Sequence, residues 1–339
     1  MSVDLVKTYR YLRWTVVALL GILAVSVVYE RMSSGCWLGS ISAYYFTPAH
    51  TVFVGSLFAL GAALIAYQGH SSVEDTLLNF SGYMAFVVAM VPTSVDTTCD
   101  LVPGYTKAPG YGDIDVSHAV QNNIVSLILV TAAVLVATVV LRLRSSKKSN
   151  LTGRSRVWAV LVGQIGDEKD RNRTMIWSAV CGAILVFELG LFLVLPATFI
   201  AFSHGLAAST MIAGVIVVMI INALGGESRP AVFRRWYIAI AVALGLALVS
   251  ALGVAAWGAL FGNAWEHWIL VAEIIVLAGF VTFWIVQSNE LAKFEDQAAK
   301  VVEEAQEAQA AAEEIAATAD RLEKAQGTEG ESTVDESTV

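Results

Sequence analysis

Two carboxylates stand inside stretches otherwise too apolar for water. Glu188 lies in MIWSAVCGAILVFELGLFLVLP, eight residues before Pro196, and Glu273 in WILVAEIIVLAG, seven residues after Glu266. At about 1.5 Å of rise per helical residue, each falls roughly 10–12 Å below the outer end of its stretch. An ionisable group at that depth in a bilayer is costly and faces a bundle interior or water. One reading is a shared proton- or cation-binding site. His204 would be its third member, because the short connection after Pro196 brings it beside the segment of Glu188. The other reading is two separate acids, each bonded to a neighbouring helix.

The histidines make a second pattern. His50, His118, His204 and His267 each open a segment read as running from outside to inside, and His70 alone falls on the inner side. With Glu266, Glu273 and Asp115 they offer imidazole and carboxylate ligands suited to a divalent metal. No two histidines stand three or four apart, and only Asp115 before His118 has that spacing. Polar residues at helix ends give the simpler account. Ser40 and Ser42 are nucleophiles only if a base lies close, which no spacing requires. Cys36 and Cys99 fall in segments read as external, where the compartment is oxidising, so a disulfide and two free thiols are both open readings. Cys181 falls inside an apolar segment. The chain has no P-loop, dinucleotide fingerprint or HExxH sequence, so no cofactor is expected.

The elements that hold these residues are long apolar segments. The chain of 339 residues is 56% apolar, with mean hydropathy +0.65 and 15% charged residues, against roughly 25% in a soluble globular chain. About 20 apolar residues cross ~30 Å of hydrocarbon. The runs predict about eight spans, near 14–29, 50–67, 77–95, 117–141, 175–196, 204–224, 237–260 and 268–287. The fold expected is all-α, a polytopic transmembrane helix bundle over 1–287. The basic residues before the first run resemble a signal peptide, but no A-x-A site follows, which predicts a retained span.

Orientation rests on RLRSSKKSNLTGRSR, Arg142 to Arg156, with six Lys or Arg and no acid. Such loops stay cytoplasmic. With this loop inside, 15 basic residues ahead of the tail fall in internal segments and 2, Arg31 and Lys107, outside. The expectation is a multi-pass protein of the cell membrane with both termini cytoplasmic. Asn79, Asn122, Asn123 and Asn222 are read as interhelical hydrogen-bonders. Gly55, Gly61, Gly245 and Gly253 are read as sites of close helix approach.

The acidity belongs to the tail: residues 288–339 carry 14 acids and 4 bases, the rest 15 acids and 17 bases. A solvated acidic segment repels phosphate, which excludes nucleic acid as its partner. From Leu291 to Leu322, apolar or Ala positions recur at alternating spacings of three and four, the heptad signature. This predicts a cytoplasmic Ala/Glu-rich helix over 288–324, a coiled coil or a lone solvated helix. The polar remainder, 325–339, is expected to be disordered.

SISAYYFTP (Ser40 to Pro48), VFVGSLFALG (Val52 to Gly61), LLNFSG (Leu77 to Gly82) and MVPT (Met90 to Thr93) resemble an uncharacterised family of multi-pass bacterial (actinobacterial-type) integral membrane proteins. VQNN (Val120 to Asn123), Ser203-His204 and Glu273 are similar to its pattern too. The resemblance is specific between residues 40 and 93, loose afterwards, and leaves out the tail. It implies an integral membrane protein and no particular chemistry.

Three functions follow as expectations. The first is a membrane scaffold or binding protein whose residues 291–322 assemble copies or recruit a cytoplasmic partner. The second is a proton-coupled transporter using Glu188 and Glu273. The third is a metal-dependent lipid hydrolase built on the outer histidines.

Overall fold

The computed structural model describes residues 3–69, 71–93, 99, 116–145, 168–225, 230–262, 267–293 and 309. The described residues are helical, without strands. The helices are α1 (Val3–Ser34), α2 (His50–Ala66), α3 (Ser72–Met90), α4 (Val116–Ser145), α5 (Glu168–Val194), α6 (Pro196–Leu224), α7 (Ala231–Phe261) and α8 (Trp268–Lys293). A 3-10 turn, Ser42–Phe46, lies between α1 and α2. The chain divides into two compact units, Met1–Val286 and Gln287–Val339. The first holds the bundle. Of the second, only 287–293 and 309 are described, so the expected heptad helix and polar end lie largely outside the described residues. So do most of the basic loop, Lys107, Asp115, Glu266 and His70.

Among the described residues six helices, α1 and α4 to α8, are long and apolar enough to cross a membrane. Their sides explain why. On α1, Arg13, Val16, Leu20, Leu23, Val27 and Glu30 are buried at spacings of three and four, while Ile22, Val25 and Val28 are exposed. A helix apolar on its exposed side as well as its buried one belongs in hydrocarbon. The same holds for α4, where Val125, Leu129, Val130, Val134, Leu135 and Val136 are all exposed.

The sequence predicts spans for α2 and α3 as well. α2 has 17 residues, short of a full span, and α3 is not among the six. The reason is position: α3 is the central helix, packed against α2, α4, α5 and α6. Most of its residues, from Val73 to Ala89, are buried. A helix walled in by protein carries no requirement for an all-apolar surface. It therefore begins earlier than its apolar run, at a Ser71 cap whose hydroxyl accepts from the Glu74 amide at 3.2 Å, and it draws Glu74 into the bundle.

Glycines set the closest approach. A Cβ on Gly61 would stand 2.6 Å from the Gly82 carbonyl oxygen, and one on Gly82 would stand 2.6 Å from that of Gly61. The backbones of α2 and α3 thus touch with no room for side chains. Gly214 of α6 sits likewise against Ser81 of α3, and Gly279 of α8 against Leu244 of α7. The expectation for Gly55, Gly245 and Gly253 is overturned: nothing lies within 4 Å of a Cβ at any of them. Apolar composition alone does not say which helix face meets protein.

Candidate functional site

Glu188 projects from α5 into a groove of about 590 Å³ formed by α3, α4, α5 and the start of α6. The walls are mainly apolar, with Met84, Ile128, Leu185 and Phe192 among them; Asn79, Tyr83 and Thr131 bring polarity. Phe192 and Phe199 meet edge to face, ring centres 5.2 Å apart. Glu188 is 6% exposed, and neither carboxylate oxygen has a hydrogen-bond partner of ordinary geometry. Its electrostatic neighbours are the Ser203 hydroxyl on α6 and Tyr83 on α3, and Tyr83 in turn pairs with Thr131 on α4. A buried carboxylate with no strong partner is costly to keep, which marks it as held for something other than packing.

Glu273 is engaged differently. Its carboxylate accepts from the Ile41 backbone amide and from the Ser42 hydroxyl, the latter at 2.9 Å. Around this pin the segment between α1 and α2 is fastened to α8. Leu270 N–H donates to the Gly39 carbonyl at 2.8 Å, and the His267 ring nitrogen Nε2 meets the Trp37 carbonyl at 3.1 Å. Cys36 and Cys99 form a disulfide, their Cα atoms 6.2 Å apart. Glu273 also lines a smaller cavity of about 100 Å³ with Ile41, Phe53, Val88 and Phe280. Ser42 is thereby a donor to a carboxylate, and Glu273 is the group with basic oxygens that stands beside it.

The structure does not gather Glu188, His204 and Glu273 into one site. The two glutamates line different cavities that share no residue, and His204 lines neither. His204 is buried with Nδ1 2.6 Å from the Val91 carbonyl, turned toward the end of α3, whereas its neighbour Ser203 faces Glu188. The other histidines are equally dispersed. His50 Nδ1 meets the Tyr45 carbonyl at 2.6 Å, His267 is engaged as above, and His118 is exposed. Among the described residues no group of three metal-capable side chains comes together. The four histidines are therefore tied to separate backbone carbonyls or to the surface rather than to a common centre.

Three features escape the sequence reading. Tyr83 and Thr131 are hidden in apolar runs, and nothing in their spacing marks them. Glu74 precedes the span expected near 77–95, yet it is 1% exposed and bonded to Asn222. The Ser-x-x-Glu pattern from Ser71 to Glu74, a capping-box sequence, was the available signal for it. Comparison with protein-family models, with curated proteins and with solved structures finds no match to this chain.

Proposed function

We propose that this chain is an eight-span protein of the cell membrane, both termini cytoplasmic, that binds a membrane-soluble amphiphile in the Glu188 groove. α2 and α3 complete the eight as interior helices, and the basic loop sets the orientation. The single observation behind the binding role is Glu188: a buried carboxylate, with the Ser203 hydroxyl near it but no hydrogen bond of ordinary geometry to either oxygen, on the wall of a sizeable and mainly apolar groove. That combination of apolar walls and one convergent polar group is how small-molecule sites are built. The tail keeps its proposed role in assembling copies or recruiting a cytoplasmic partner through residues 291–322.

Binding is favoured over proton-coupled transport through Glu188 and Glu273, because Glu273 is occupied by Ile41 and Ser42. The test uses a photo-crosslinking single-chain alcohol with purified protein in phosphatidylcholine nanodiscs. Labelling should fall on peptides of α4 and α5 that line the groove. Gly182 lines the groove and has open space where a Cβ would go, so Gly182→Trp should fill it and abolish that labelling. Labelling spread evenly over exposed faces and indifferent to Gly182→Trp would remove the proposal.

A further inference from the structure

Resting on the groove as a binding site, we infer that its occupant is a single-chain lipophilic amine, its ammonium paired with Glu188 and its chain lying along α5. The groove follows α5 from Phe192 to Ser178, a length of about 21 Å at helical rise. A groove of about 590 Å³ drawn out over that length suits one extended hydrocarbon chain.

The polar end is fixed by Glu188, one turn from Phe192. A bare metal ion fits poorly there, since hard cations want several oxygen ligands with enough negative charge, and beside its one carboxylate the groove presents only neutral groups such as Asn79, Tyr83 and Thr131. A cation that brings its own apolar body satisfies both at once. An ammonium supplies three donors to the two unpartnered oxygens. It also comes beside the Phe192 and Phe199 rings, whose faces attract cations.

Depth decides between a free amine and an aminophospholipid. Glu188 lies about 12 Å along the helix from Pro196, so a phospholipid amine would reach it only by drawing its phosphate into hydrocarbon. A free amine carries no second charge. Entry is sideways: α4 packs on α3, whereas α5 packs on α3 and α6, which leaves the mouth of the groove between α4 and α5.

The experiment compares photoactivatable dodecylamine with the matching dodecanol in phosphatidylcholine nanodiscs at neutral pH. The amine should label groove peptides roughly tenfold more than the alcohol, a difference of about 1.4 kcal/mol. Glu188→Gln should bring the amine down to the alcohol's level, and Glu188→Asp should fall between. Equal labelling by both probes, unchanged by Glu188→Gln, would overturn the amine while leaving the groove as a binding site. No groove labelling by either probe would overturn both readings. Displacement of the amine by phosphatidylethanolamine at equal mole fraction would overturn the single-chain source. Unaltered circular dichroism and monodispersity of Glu188→Gln establish that its loss of labelling is not loss of fold.

Discussion

Asn222 donates through Nδ2 to the Glu74 carboxylate at 2.9 Å, joining α6 to α3 at two side chains that are 3% and 1% exposed. The same amide also donates to the Val218 carbonyl at 3.0 Å. Removing the donor strips a buried carboxylate of a partner. Asn222→Leu is expected to cost about 1–3 kcal/mol, seen as a lower thermal unfolding midpoint in detergent. Combined with Glu74→Gln, the loss should be smaller than the sum of the two singles, because the second change removes the charge left exposed to the first. Strict additivity would show that the pair is not coupled.

The reciprocal contact of Gly61 and Gly82 makes a prediction of opposite kind, about volume. Each position meets backbone, which cannot rotate away. Gly61→Ala or Gly82→Ala should destabilise by about 1–3 kcal/mol, the usual cost of overpacking. Gly253→Ala should be neutral, since its Cβ meets nothing. Parallel melting curves of the three variants check this, and similar effects at all three positions would contradict the packing of α2 on α3.

Glu273 fixes the stretch before α2. Gln at this position keeps one acceptor oxygen but replaces the other with a donor, so either the Ile41 amide or the Ser42 hydroxyl loses its partner. Glu273→Gln should cost about 1–3 kcal/mol, and Ser42→Ala about 1 kcal/mol. Limited proteolysis between residues 35 and 49 reports it: cleavage should quicken in Glu273→Gln, less so in Ser42→Ala. Unchanged cleavage in both would mean the stretch is held by other contacts.

These cases show where sequence reading stops in such a chain. Hydropathy suffices for α4 and α7, which face hydrocarbon over most of their surface. It says little about α3, whose neighbours are protein and whose Glu74 sits inside. Direction of burial is the missing quantity. Gly61 and Gly253 look alike in an apolar run, and only the packed bundle distinguishes them. The glutamates show the same limit: their depth is readable from residue counts, but which cavity each one lines depends on helix rotation, which a helix apolar all round does not encode. Compartment leaves a disulfide and two free thiols equally open for Cys36 and Cys99, a choice the structure makes, whereas Glu273 with Ser42 joins residues 231 apart by a bond no spacing foretells.

The Cys36–Cys99 bridge has a mechanical consequence. It welds the chain just after α1 to the chain beyond α3, and Glu273 and Leu270 latch the same stretch to α8. The ends of three helices are thereby locked into a stationary wall. Among the described residues, α4 packs on α3 and carries no such fastening. A guest that entered past α4 would find the cross-linked side standing as a fixed jamb.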